Sequence, residues 1–147
     1  MKKLNKEATR ICCRLLEKLG NCDYVKLMSD EFMPLNIERL ETNIQTVFGA
    51  GTTYSFAHYY EQNGDLMSDP QMVFIVVDNR KLEDDLDAIA VYPQSYQLDG
   101  LGLYEECVSI ENGKVASFIR TMQAGHAVFA GQWFRNLRQQ GFLKCNN

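Results

Sequence analysis

A chain of 147 residues is long enough to bury a sizeable core, and no linker or repeat divides it, so residues 1–147 are read as one domain. Hydrophobic residues at 46% and charged residues at 23% exclude a chain too polar to fold. A formal net charge of −4 is too weak for a DNA mimic and exerts no overall pull on nucleic acid or anionic lipid. Leu4, Ala8, Ile11, Cys12, Leu15, Leu16 and Leu19 then form one apolar stripe, which predicts a helix over about 4–19, stopped by Gly20-Asn21. Tyr24–Met28 reads as a short strand. Leu35, Ile37 and Leu40 mark a second behind Pro34, and Ile44–Phe48 a third beyond the turn at Thr42-Asn43. Gly49-Ala50-Gly51 is expected to break that run.

Thr53–Glu61 is the clearest strand, rich in Thr and Tyr. Met72–Val77 is almost continuously apolar, as a central strand covered on both faces would be. Lys81–Asp87 is an acidic, solvated loop, and Ala88–Tyr92 a further strand. Pro93 and then Asp99, Gly100 and Gly102 mark a loop. Asn112-Gly113, set between Cys107–Glu111 and Lys114–Ile119, predicts a two-residue hairpin, because Asn and Gly tolerate positive φ at both central positions. A final helix is expected over about 122–140, with Ala127, Ala130, Phe134 and Leu137 on one face, Phe129 and Trp133 beside it, and Gly141-Phe142 at its exit. His126 is expected on its surface or half-buried. Strands bracketed by two amphipathic helices predict an α+β fold, a mainly antiparallel sheet of about six or seven strands flanked by an N-terminal and a C-terminal helix packed on one face.

No apolar run reaches the roughly 18 residues of a membrane span, and Glu7, Arg10 and Arg14 interrupt any signal-peptide core. A cytoplasmic protein is therefore expected. Cys12, Cys13, Cys22, Cys107 and Cys145 are odd in number and include no Cys-x-x-Cys pair, so reduced thiols are expected and neither a disulfide framework nor a zinc site. The chain carries no P-loop, Gly-x-Gly-x-x-Gly, Gly-x-Ser-x-Gly or His-Glu-x-x-His motif, so no cofactor is expected.

The segment His58–Pro70 has polar side chains at unusual density between two apolar strands. Three readings compete for it. His58, Glu61, Asp65 and Asp69 offer an imidazole and three carboxylates, a set suited to Mg²⁺, Mn²⁺ or Ca²⁺ and to a metal-dependent hydrolase. Strand geometry opposes this, since His58 and Glu61 point to opposite faces of a regular strand. A plain connection is the second reading, with Asn63-Gly64-Asp65 turning the chain and Asp69-Pro70 holding it extended. The third is a partner-binding surface made of His58, Tyr60, Glu61, Gln62, Asn63, Asp65 and Asp69. Elsewhere Arg135, Arg138 and Lys144 give the last helix a basic face, a nucleic-acid reading that the acidic balance of the chain disfavours.

The stretch Ala57-His58-Tyr59-Tyr60-Glu61-Gln62-Asn63-Gly64-Asp65-Leu66-Met67-Ser68-Asp69-Pro70-Gln71-Met72 resembles the signature of a family of small bacterial proteins, a domain of unknown function associated with conjugative elements and phages of Bacteroides-type bacteria. Gln132-Trp133-Phe134-Arg135-Asn136-Leu137-Arg138-Gln139-Gln140-Gly141-Phe142 resembles its C-terminal pattern, and Asp23–Lys26 with Met33-Pro34-Leu35 extend the likeness. The resemblance implies a bacterial, cytoplasmic protein carried on mobile DNA and supplies no activity. With no complete catalytic set in the residues, the expectation is a non-enzymatic accessory protein that binds a protein partner.

Overall fold

The computed structural model describes residues 1–144, so the expectation for Cys145 lies outside the described residues. Helix α1 (Lys6–Leu19) starts two residues later than the apolar stripe. The Asn5 side chain caps it, accepting the Ala8 N–H at 2.8 Å and so satisfying a donor that has no partner within the helix. Glu7 in the first turn and Lys18 in the last complement the helix dipole, and Gly20 ends the helix at φ 59°. Nine strands follow: β1 (Tyr24–Leu27), β2 (Leu35–Arg39), β3 (Ile44–Thr46), β4 (Gly49–Gln62), β5 (Asp65–Asp78), β6 (Ile89–Leu98), β7 (Leu103–Glu106), β8 (Val108–Glu111) and β9 (Lys114–Phe118). Helix α2 (Arg120–Gln139) closes the sequence of elements, and Gly141 at φ 92° turns Phe142 back into the core, as its sequence predicts.

The strands form one mostly antiparallel sheet, with seven along the path β7-β6-β5-β4-β3-β9-β8 and the β1–β2 pair against β4. The exception to antiparallel pairing is the meeting of β3 with β9 at Gln45 and Lys114. At the far end of the path the Cys107 N–H donates to Gln94 O at 2.9 Å, and Gln94 Nε2 donates to Val108 O at 2.8 Å. These bonds bring β8 back to β6, so the sheet is nearly a barrel. The α+β expectation holds, with both helices on the outside of that curve.

Both helices pack on the outer face. Phe56, Phe74 and Phe134, all fully buried, pack with ring centroids 5.4–5.6 Å apart, two of the three contacts edge-on. Glu7 joins the helices by receiving Arg135 at 2.9 Å and Arg138 at 3.4 Å. A smaller cluster of Ile75, Val77, Tyr92, Cys107 and Val108 fills the inside of the curve. Cys12, Cys13 and Cys107 are buried and unpaired, and Cys22 is exposed and unpaired.

Four local expectations need correction. Gly49-Ala50-Gly51 does not break the chain but opens β4. A Cβ on Gly51 would lie 2.8 Å from Ile75 Cγ2, so glycine there admits the close approach of β5. Pro93 lies inside β6 and not in a loop. It pairs with Phe74 while Ser95 pairs with Val73, leaving Gln94 as a bulge, which tolerates a residue without an N–H. Strand β7 occupies a stretch that had no predicted element. His126 is 6% exposed and belongs to the packed face of α2.

Candidate functional site

The segment His58–Pro70 is not a loop. β4 runs through it to Gln62 and β5 starts at Asp65, so the connection is Asn63-Gly64 alone, at φ 54° and 85°. This is the chemistry of the Asn112-Gly113 turn, at φ 53° and 72°. Ala57 pairs with Gln71 and Tyr59 with Ser68, so Asp69 and Pro70, joined by a cis peptide, stand opposite the single residue His58 as a bulge.

His58 faces the helices. Its Nδ1–H donates to Pro34 O at 2.9 Å, and its Nε2 accepts the Trp133 Nε1–H at 3.3 Å. Both ring nitrogens are used, and only the neutral ring fits, because a protonated Nε2 would face another donor. Burial accordingly lowers its pKa, against smaller raising effects of the Pro34 carbonyl and Asp69. Glu61, Gln62, Asn63 and Asp65 are exposed on the outer part of the hairpin, while Tyr60 and Asp69 are half-buried. Asp69 stands beside buried His58, whereas Glu61 and Asp65 lie on the exposed outer hairpin, so the proposed set of four does not converge. Among the described residues no group of three or more His, Cys, Asp or Glu side chains is placed to hold an ion. Asp99 holds the foot of the hairpin: its carboxylate receives the Ser68 N–H and Gln97 Nε2, each at 2.8 Å. Those bonds, the Ser68 N–H first, hold its pKa below the usual carboxylate value.

The other histidine is no better placed for catalysis. His126 Nε2 lies 2.9 Å from Glu105 Oε1, with the ring 5.7 Å from that of Tyr96. Its Nδ1 is buried without a partner among the described residues. Burial pushes the Cys107 thiol up to about 12, so it stays protonated and a poor nucleophile. Arg135 and Arg138 are both engaged by Glu7, which reduces the charge that the last helix presents to a phosphate backbone.

The concave face of the sheet carries a site that the sequence does not announce. Two rungs of paired residues cross four strands. One is Ser55–Val73–Ser95–Glu106, and the other is Ala57–Gln71–Gln97–Tyr104. Side chains of paired residues share a face, and the β5, β6 and β7 members of these rungs floor a cleft of about 610 Å³. Glu41 and Thr53 wall it at one side, the Glu41 N–H donating to Thr53 Oγ1 at 3.0 Å. Ile110, Asn112 and Gly113 of the β8–β9 hairpin overhang it. Its polar groups are ordered among themselves. Ser68 Oγ donates to Gln71 Oε1 at 2.9 Å, and Gln71 Nε2 donates to Ser55 Oγ at 3.1 Å. Tyr104 OH donates to Glu106 Oε2 at 3.1 Å. Burial first, and then that carboxylate, push the Tyr104 phenol up. Both imidazoles make their bonds on the other face, so the hydroxyls of the cleft have no histidine base.

Residues 10–143 match DUF6908, a domain of unknown function. The chain belongs to that family. No curated protein and no solved structure matches it. The DUF6908 match spans the hairpin, the cleft, α2 and α1 from Arg10 onward, and it names no reaction for any of them.

Proposed function

We propose that the protein is a non-enzymatic binding domain for a protein partner, acting as one folding unit and receiving part of that partner in the concave cleft. The observation that carries this reading is the cleft itself: Gln71, Ser95, Gln97, Tyr104 and Glu106 brought together by strand register, several of them ordered by hydrogen bonds, in the mouth of a near-barrel where ligand sites commonly lie. The exposed hairpin tip, with Glu61, Gln62, Asn63 and Asp65 and with Tyr60 at its root, supplies a second contact beside it. The described residues pair no nucleophile with a base, which favours binding over turnover. Carriage on bacterial mobile DNA and residence in the cytoplasm are the setting that the sequence resemblance supports. No described helix is long and apolar enough to cross a membrane.

Site-specific photo-crosslinking tests the reading. A photoreactive residue in place of Leu40, exposed in the cleft wall, is expected to capture the partner, and one in place of Leu82, in the acidic loop, is not. Ser95→Trp, which fills the floor, should abolish capture without unfolding the domain. Equal capture from both positions, or capture indifferent to Ser95→Trp, would overturn the assignment of the cleft.

A further inference from the structure

Resting on the reading of the cleft as a partner site, we propose that Tyr104 and Glu106 form a guanidinium subsite, and that the occupant is an arginine on an extended segment of the partner. Charge points there first. The acidic side chains lining the cleft are Glu41 and Glu106; no Lys, Arg or His lines it, and neither has an ion-pair partner among the described residues. An occupant bearing a cation would neutralise them, and an anion would be repelled.

Hydrogen-bond capacity points the same way. Gln94 and Gln97 each commit one amide N–H, to Val108 O and to Asp99. Their oxygens remain as acceptors, and Tyr104 OH is committed to Glu106. These oxygens and the two carboxylates give a guanidinium, with its five N–H groups, several acceptors in one cleft. Tyr104 and Glu106 stand two apart on β7, on one face, where they can serve one group together. Tyr104 is 58% exposed, so the face of its ring is open to a planar cation, and the bond from its hydroxyl fixes the carboxylate for paired N–H donors. Val73, Leu40 and Ile110 give the aliphatic stem an apolar bed. The extended form follows from topology. β7 ends the strand path, so its outer edge presents backbone groups that an extended segment can pair with.

The test uses amide-resolved NMR on the full chain. Three capped peptides of alternating Gly-Ser-Arg triplets are titrated: one with arginine, one with citrulline, which keeps the shape and loses the charge, and one with glutamate. The arginine peptide is expected to shift amides of β6 and β7 and to weaken as salt is raised. Citrulline should bind on the order of tenfold more weakly, and so should the arginine peptide to Glu106→Gln. Tyr104→Leu serves as an independent variant should Glu106→Gln disturb folding, and Glu105→Gln, on the opposite face, should change nothing in the arginine titration. Equal binding of arginine and citrulline peptides, with shifts in the cleft, would overturn the guanidinium subsite and leave the cleft as a binding site. Shifts confined to other surfaces, or no shift at millimolar peptide, would overturn both.

Discussion

The two faces of the sheet use similar registers for opposite ends. On the outer face, the rung Phe56–Met72–Tyr96–Glu105 is sealed by the aromatic residues of α2, and even its histidines are consumed in contacts. On the inner face, the adjacent rung Ser55–Val73–Ser95–Glu106 meets an open cleft. Shifting one residue along β4 therefore changes the role of a position from packing to presentation. The lesson concerns where polar groups are placed. On the sealed face His58 is locked by a partner at each ring nitrogen and His126 by Glu105 at Nε2, whereas groups on the open face are ordered by one another and leave capacity for a visitor.

The largest expected effect tests the sealed face. Phe134→Ala removes a ring packed against Phe56, Phe74 and Trp133 and should cost about 3–5 kcal/mol in urea unfolding, with the cleft lining untouched. A loss below about 1 kcal/mol would mean that this face is not the main source of stability. Next comes His58→Leu, which strands the Pro34 carbonyl and the Trp133 N–H in the interior and should cost about 1–3 kcal/mol.

The same residue predicts a pH dependence. Burial lowers the pKa of folded His58, so the unfolded chain takes up a proton at higher pH than the folded one does. Its contribution is complete above the ordinary histidine pKa of about 6.5 and is lost as pH falls from there toward the folded value. Unfolding curves at about pH 7.5 and about pH 5.5 should show that fall, and His58→Leu should flatten it.

The smallest effects belong to the open face. Ser95→Ala should cost less than about 1 kcal/mol, and Glu106→Gln should stay within about 0.5 kcal/mol while weakening the arginine peptide. A large stability loss from Glu106→Gln would move that carboxylate from the visitor's side of the comparison to the scaffold's.

Much of this fold is legible in the sequence where a local rule is strong. The 3.6-residue stripe from Leu4 to Leu19 marks α1, Asn112-Gly113 a hairpin, and the run from Met72 to Val77 a central strand. Asn63-Gly64 carries the same turn signal as Asn112-Gly113 and reads as a turn, but polar neighbours hide the strand pairing that flanks it, because pairing beyond the core leaves Glu61 and Leu66 in solvent. Pro93 reads as a loop because a proline inside a strand is acceptable only where a bulge excuses its missing N–H, and the bulge depends on β5. His126 reads as a surface residue because Glu105, its partner, is distant in sequence. The cleft is hidden for a related reason. Thr53, Gln71, Ser95 and Glu106 each look like an ordinary outward-facing strand residue, and only the register of four strands brings them onto one floor.

The tip of the β8–β9 hairpin has two duties. Asn112 and Gly113 overhang the cleft, and the Gly113 carbonyl receives the Gln45 N–H at 2.8 Å, helping fasten β9 to β3. One turn is thus both the lip of the cleft and a latch of the near-barrel. Displacing this lip to widen the cleft would therefore also pull on the bond that holds β9 to β3.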